Sequence, residues 1–174
     1  MKKIITFSLL LFFCIAVRGQ TVADKIAVDI KKLSGEYMTD FRNIKGGLKS
    51  ENEQEIIFYS RLKVNSSTDS SNLLHFIKER QCWIFSAELD KEKTTAAELD
   101  TAISAIIFSF GKLKNTPTGA TWVNSYIPAA KKGLSEKIQS LSLHVFNNEA
   151  NPADSTGGGK LSFTLGHDEY YRYK

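Results

Sequence analysis

A thiol and an imidazole stand closest to chemistry in this sequence. Cys82 and His75 flank a short polar stretch, Glu79 to Gln81, that reads as a tight connection between two strands. A meander there would bring the two side chains' strands together. A thiolate within hydrogen-bond reach of a histidine is an activated nucleophile, so the pair defines one hypothesis, a small cysteine-dependent hydrolase or transferase. No third group or oxyanion donor is visible beside them, and a lone cysteine opening a strand also serves as a small packed hydrophobe.

Other chemistries find less. His75, His144 and His167 are widely separated, and no Cys-x-x-Cys or His-Glu-x-x-His spacing occurs, so neither a metal site nor a cofactor is expected. Alternation along their strands places His144 with serines and His167 in a core-side row, facing opposite ways. No serine sits in a Gly-x-Ser-x-Gly elbow. Gly157-Gly158-Gly159-Lys160 has Asp154 where a phosphate loop carries its first glycine, and Leu161 where it carries Ser or Thr. Asp154-Ser155-Thr156-Gly157 has no second such turn with which to share a proton.

Binding is better supported than catalysis. The chain ends His167-Asp168-Glu169-Tyr170-Tyr171-Arg172-Tyr173-Lys174, three tyrosines set among charges. Tyrosine brings a large apolar ring and a hydroxyl at low entropic cost, which suits interfaces. A second surface is the outer face of the sheet, where Tyr59, Arg61, Lys63, Ile84, Ser86 and Glu88 fall on one side. The favoured reading is therefore a non-enzymatic binding or accessory protein. Its partner would be a protein or a small ligand at the sheet face or the C-terminal end. A secretion-chaperone-like or inhibitor role stands beside the cysteine enzyme as an alternative.

These side chains are positioned by a chain of 174 residues, 42% apolar, with 23 Lys+Arg against 19 Asp+Glu. Lys2 and Lys3 precede the apolar stretch Ile4 to Val17, and Arg18-Gly19 close it. Those are the parts of a secretory signal peptide, too short to cross a bilayer as a helix. Cleavage is expected after Gly19, leaving residues 20–174 as one domain, secreted or periplasmic, with no membrane attachment. Cys14 lies inside the apolar core behind Leu11, Phe12 and Phe13, unlike a lipoprotein cysteine, so it leaves with the leader. The mature chain then carries 20 basic and 19 acidic residues, a net charge of +1 that offers no basic face for nucleic acid. Cys82 remains as its one cysteine, excluding an internal disulfide. Asn65-Ser66-Ser67 matches the glycosylation acceptor pattern, an accidental match for a bacterial leader of this type.

Periodicity supplies the elements. Thr21 and Asp24 form an acidic capping arrangement ahead of Val22, Ile26, Ile30, Leu33, Tyr37 and Phe41, which share one helical stripe ended by Gly46-Gly47. Glu55 to Val64 alternates as a strand, and Asn65 to Asn72, with four serines, is a turn region. Leu73 to Lys78 and Cys82 to Leu89 complete an antiparallel meander. Thr95 to Glu98 is a capping box opening a second helix through Leu99, Ile103, Ile106, Ile107, Phe110 and Leu113, stopped by Asn115-Thr116-Pro117. A short helix is expected within Pro128 to Gln139, then strands at Leu141–Phe146 and Leu161–His167 joined by a long loop. The expected fold is a two-layer α+β domain, order α-β-β-β-α-(α)-β-β, with about five antiparallel strands packed by two main helices. The order helix, three strands, helix, two strands resembles the type III secretion chaperone-like architecture, a likeness of topology with no motif behind it.

Overall fold

The structure is a computed structural model that describes residues 21–117, 123–147 and 160–167. Helix α1, Val22–Tyr37, opens on the capping box read from the sequence. The Asp24 amide donates to Thr21 Oγ1 at 3.1 Å, and the Thr21 amide donates back to Asp24 Oδ2 at 3.0 Å. Ile26, Ile30, Leu33 and Tyr37 form its buried stripe. The helix ends at a Schellman-type turn: the Phe41 amide reaches back to the Glu36 carbonyl at 2.8 Å, and the Asp40 amide to that of Tyr37 at 3.2 Å. Asp40 sits at φ 55°, the left-handed conformation this turn demands, and Phe41 after it has the same φ. Phe41 remains fully buried, held by the turn and not by helical spacing.

The expected five-stranded sheet is overturned. Among the described residues nine strands form one antiparallel sheet: β1 Lys45–Glu51, β2 Glu55–Ser60, β3 Leu73–Ile77, β4 Cys82–Leu89, β5 Ile107–Phe108, β6 Gly111–Pro117, β7 Val123–Pro128, β8 Leu141–Asn147 and β9 Leu161–His167. Among the described residues the helices are α1, α2 (Ala96–Ala105) and a single-turn α3 (Glu136–Gln139). The spatial order is β1-β2-β3-β4-β9-β8-β7-β6-β5. Two meanders, β1–β4 and β5–β9, thus meet where β4 pairs with β9. A helix precedes each meander, so the chain runs through the same helix-then-meander plan twice, and the chaperone-like order of five strands is not the one adopted.

Each missed strand has a physical reason. Gly46-Gly47 stops no helix; both glycines lie inside β1, an edge strand with two bulges and few apolar residues to announce it. Strand β2 ends at Ser60, short of Val64. Helix α2 keeps the expected capping box, with the Glu98 amide on Thr95 Oγ1 at 3.2 Å, but it stops at Ala105. Ile106 is extended, and Gly111 at φ +98° closes the two-residue turn between β5 and β6. The run Ile103 to Phe110 is rich in β-branched and aromatic residues, which suit a strand as well as a helix face. Asn115-Thr116-Pro117 belongs to β6, and Pro128 ends β7 opposite Leu113 in place of starting a helix.

Both long helices pack against each other and cover one face of the sheet. Phe85, Ala87 and Leu89 of β4 join Phe163 and Leu165 of β9, Leu143 and Val145 of β8 and Tyr126 of β7 on that face. They form one continuous core with Ile26, Ile30, Leu33, Leu99 and Ile103 of the helices. The alternate residues of the same strands face the other way, and these carry the polar chemistry.

Candidate functional site

Strand alternation puts a set of polar residues on the face away from the core, and antiparallel register then decides which of them meet. Ser86 on β4 lies directly across from Thr164 on β9, Thr164 from His144 on β8, His144 from Ser125 on β7, and Ser125 from Thr116 on β6. A row of hydroxyls and one imidazole therefore crosses five strands on the face away from the helices. His144 is buried, with Nδ1 2.5 Å from Ser125 Oγ and Nε2 3.0 Å from Ser142 Oγ. Thr164 Oγ1 and Thr116 Oγ1 are buried with no hydrogen-bond partner among the described residues.

His75 extends this row toward β2. Its Nδ1 lies 2.9 Å from Glu55 Oε2 and its Nε2 lies 2.9 Å from Ser86 Oγ. A carboxylate on Nδ1 holds the proton there, leaving the Nε2 lone pair to accept from the Ser86 hydroxyl. Carboxylate, imidazole and hydroxyl thus stand in the order used for serine acyl transfer. The line is partly open to solvent, with His75 21% and Glu55 26% exposed. Ile57 and Ile84 flank His75 on the neighbouring strands.

Cys82 and His75 lie on the same face but are not partnered as the cysteine-enzyme hypothesis requires. Ile84, not Cys82, sits directly across from His75, and both imidazole nitrogens go to Glu55 and Ser86. The Cys82 side chain is buried with Ile77 and Ile84. His144 and His167 face opposite ways, His144 across from Thr164 and His167 across from Leu141. On the proposed outer surface Tyr59 is 45% exposed, whereas Ile84 is buried. Arg61 and Lys63 are exposed but lie past the end of β2; Lys63 pairs with Asp69 at 3.1 Å, and Glu88 pairs with Lys160 at 3.0 Å. Tyr170, Tyr171, Arg172 and Tyr173, the Gly157–Gly159 segment, Asp154 and the leader all lie outside the described residues. Among the described residues no three His, Cys, Asp or Glu side chains cluster as metal ligands would.

The serine line escaped the sequence reading because its three members are separated by 20 and 11 positions. Ser86 was legible as an outer-face residue. Only the β2–β3–β4 register brings Glu55 and His75 to it.

A second buried polar group lies under α2. The Asn124 side-chain amide donates to Asp100 Oδ2, while Asp100 Oδ1 and the Tyr126 hydroxyl lack a well-formed hydrogen bond. Burial raises the Asp100 carboxyl above its ordinary range, outweighing the lowering effects of Tyr126 and Asn124. Burial also lifts the Tyr126 phenol, with the Asp100 carboxylate beside it adding to the effect. A carboxyl whose folded pKa exceeds its unfolded one makes the native state hold its proton more tightly. Stability is therefore lost as pH rises from the ordinary aspartate range through the raised value. Asp100→Asn is expected to flatten this fall and to raise the urea midpoint near pH 7, with the two proteins converging as pH drops. A lower midpoint for the variant at pH 7 would mean that the carboxylate's hydrogen bonds outweigh its desolvation.

Concavities are shallow. Open grooves of about 550 and 650 Å³ follow the seam between α1 and α2, where Ala27, Val28, Ala102 and Ala105 line the walls. A cleft of about 300 Å³ lies at the C-terminal end of α1, where Tyr37, Cys82, Lys137 and His167 converge. There Lys137 Nζ is 2.5 Å from Asp40 Oδ1 and 5.4 Å from the centre of the Tyr37 ring. Burial raises the Tyr37 phenol, against the lowering effect of its 3.1 Å bond to Ser140. No described helix is long and apolar enough to cross a membrane.

Comparison with protein-family models, with curated proteins and with solved structures found no match.

Proposed function

We infer that the protein is an exported, non-enzymatic binding or accessory module that meets its partner along the β1–β2 edge of the sheet, around Tyr59 and Arg61. The observation behind this reading is the exposure of large apolar side chains at that edge: Tyr59 is 45% and Leu48 58% exposed. An exposed tyrosine ring beside cations suits a protein surface or a small ligand, and Lys49 Nζ lies 5.8 Å from the centre of the Tyr59 ring. Two bulges on β1, with Lys45 and Lys49, interrupt the row of free backbone groups. Such interruptions discourage pairing with another strand, so side chains are the contacts offered. The imidazoles, by contrast, are engaged inside the sheet.

The N-terminal nineteen residues act as the export leader in this reading, and the tyrosine-rich end beyond His167 supplies a second contact. A chaperone or inhibitor role would be a special case, set by who the partner is. The test is capture from the exported fraction by the tagged protein and by a Tyr59→Ala/Arg61→Ala variant. A polypeptide beginning at Gln20 should retain a stoichiometric partner that the double variant loses. Equal capture by the variant, or repeated capture of nothing by the native protein, would overturn the binding surface; an intact Met1 terminus would overturn export.

A further inference from the structure

Ser86 on the polar face has a complete proton path. Its Oγ is 2.9 Å from His75 Nε2, and the far nitrogen of that ring is 2.9 Å from Glu55 Oε2. Thr164 stands directly across from Ser86 on the other side, its hydroxyl buried and so out of reach of a bound molecule. Tyr59 and Leu73 continue the Ser86 row outward, and Ile57 and Ile84 flank His75. Ile84 is buried, but Tyr59 is exposed and Leu73 and Ile57 half-buried, so an acyl chain or aryl ring has these three to rest on beside the hydroxyl.

We propose that Ser86 is an acyl-accepting nucleophile that captures one acyl group from an activated ester, with His75 as its base and Glu55 orienting the ring. In this step Ser86 Oγ bonds to the ester carbonyl carbon, and its proton passes to His75 Nε2. The carbon–oxygen bond to the leaving group then breaks, and the His75 proton goes to the departing oxygen, restoring the neutral ring. The product is an ester of Ser86 and a free alcohol or phenol.

The same geometry explains why capture is expected without fast turnover. Ser86 lies mid-strand, paired with Leu73 on one side and Thr164 on the other. Backbone amides there point in the plane of the sheet toward neighbouring carbonyls. They are not aimed at a tetrahedral oxygen above the face, so the usual amide pair is missing there. A good leaving group offsets that weakness during acylation. Hydrolysis of the serine ester has no such help, and the acyl group stays. Single capture of this kind goes beyond the binding reading and does not rest on it.

The mature chain is treated with a fluorophosphonate probe and, separately, with p-nitrophenyl acetate, and read by intact mass. One adduct per chain is expected, with one equivalent of nitrophenolate released in a burst. Fragmentation must separate Ser86 from Cys82, four residues away. Ser86→Ala should abolish the adduct and Cys82→Ala should keep it. His75→Gln should slow labelling about 100-fold or more, the usual worth of a positioned base. Glu55→Gln, which leaves Ser86 in place should Ser86→Ala fail to fold, should also slow it, on the order of 100-fold or more. Absence of a Ser86 adduct in the native protein, an adduct on Cys82 instead, or unchanged labelling in His75→Gln would each overturn the proposal.

Discussion

Phe85→Ala is expected to destabilise the protein by about 3–5 kcal/mol, read as a fall in the urea midpoint. Phe85 is 0% exposed at the centre of β4. Its ring lies 5.9 Å from that of Phe163 on β9, so the pair spans the seam at which the two meanders join. Deleting the ring removes buried apolar surface and leaves a hole bordered by sheet on one side and by the helices on the other. Neither border can close over it, because β4 is paired along both of its edges. Domains of this size are stable by about 5–15 kcal/mol, so the variant should be near the limit of folding. A loss below about 1 kcal/mol would mean that the β4–β9 seam is not where the core is tightest.

Gly166→Ala should also be costly, for the opposite reason. A β-carbon at residue 166 would stand 2.7 Å from the Trp83 carbonyl oxygen and 2.9 Å from Ile84 Cα. Both are backbone atoms of the paired strand, so no side chain can swing aside. To fit the methyl, β9 must move off β4 at the end where Gly166 pairs with Ile84. Overpacking of this kind typically costs about 1–3 kcal/mol. The measurement is again the denaturant midpoint, with amide hydrogen exchange of Ile84 and Leu165 as a local readout. Faster exchange at these two amides with little change at α1 is the expected pattern. An unchanged midpoint and unchanged exchange would show that the seam has slack.

The two predictions act at one place, which reflects how the fold is assembled. Strand alternation in β4, β8 and β9 was legible because each alternates apolar with polar residues over five positions, while β2 and β3 read as short apolar runs bounded by polar residues. Both capping boxes were legible because Thr21 with Asp24, and Thr95 with Glu98, are local chemistry that needs no distant partner. The failures came where two periods fit the same residues. Ile106, Ile107, Phe110 and Leu113 satisfy helical spacing as far as β6, and the sheet took them because Gly111 could turn the chain back. Strand β1 has almost no apolar signal and exists because β2 offers it an edge.

The candidate site divides along the same line. Residue types, their alternation and the placing of Ser86 on the outer face follow from local pattern alone, as do the two helix starts and the division of β8 and β9 into apolar and polar rows. The meeting of Glu55, His75 and Ser86, and the alignment of Thr164 beside them, depends on how two hairpins and the β4–β9 junction set strand register. Register is a long-range property: sliding one strand by a single residue turns its whole polar row to the opposite face. No local window of sequence carries that information, because the energy that selects it lies in helices and strands packed from opposite ends of the chain.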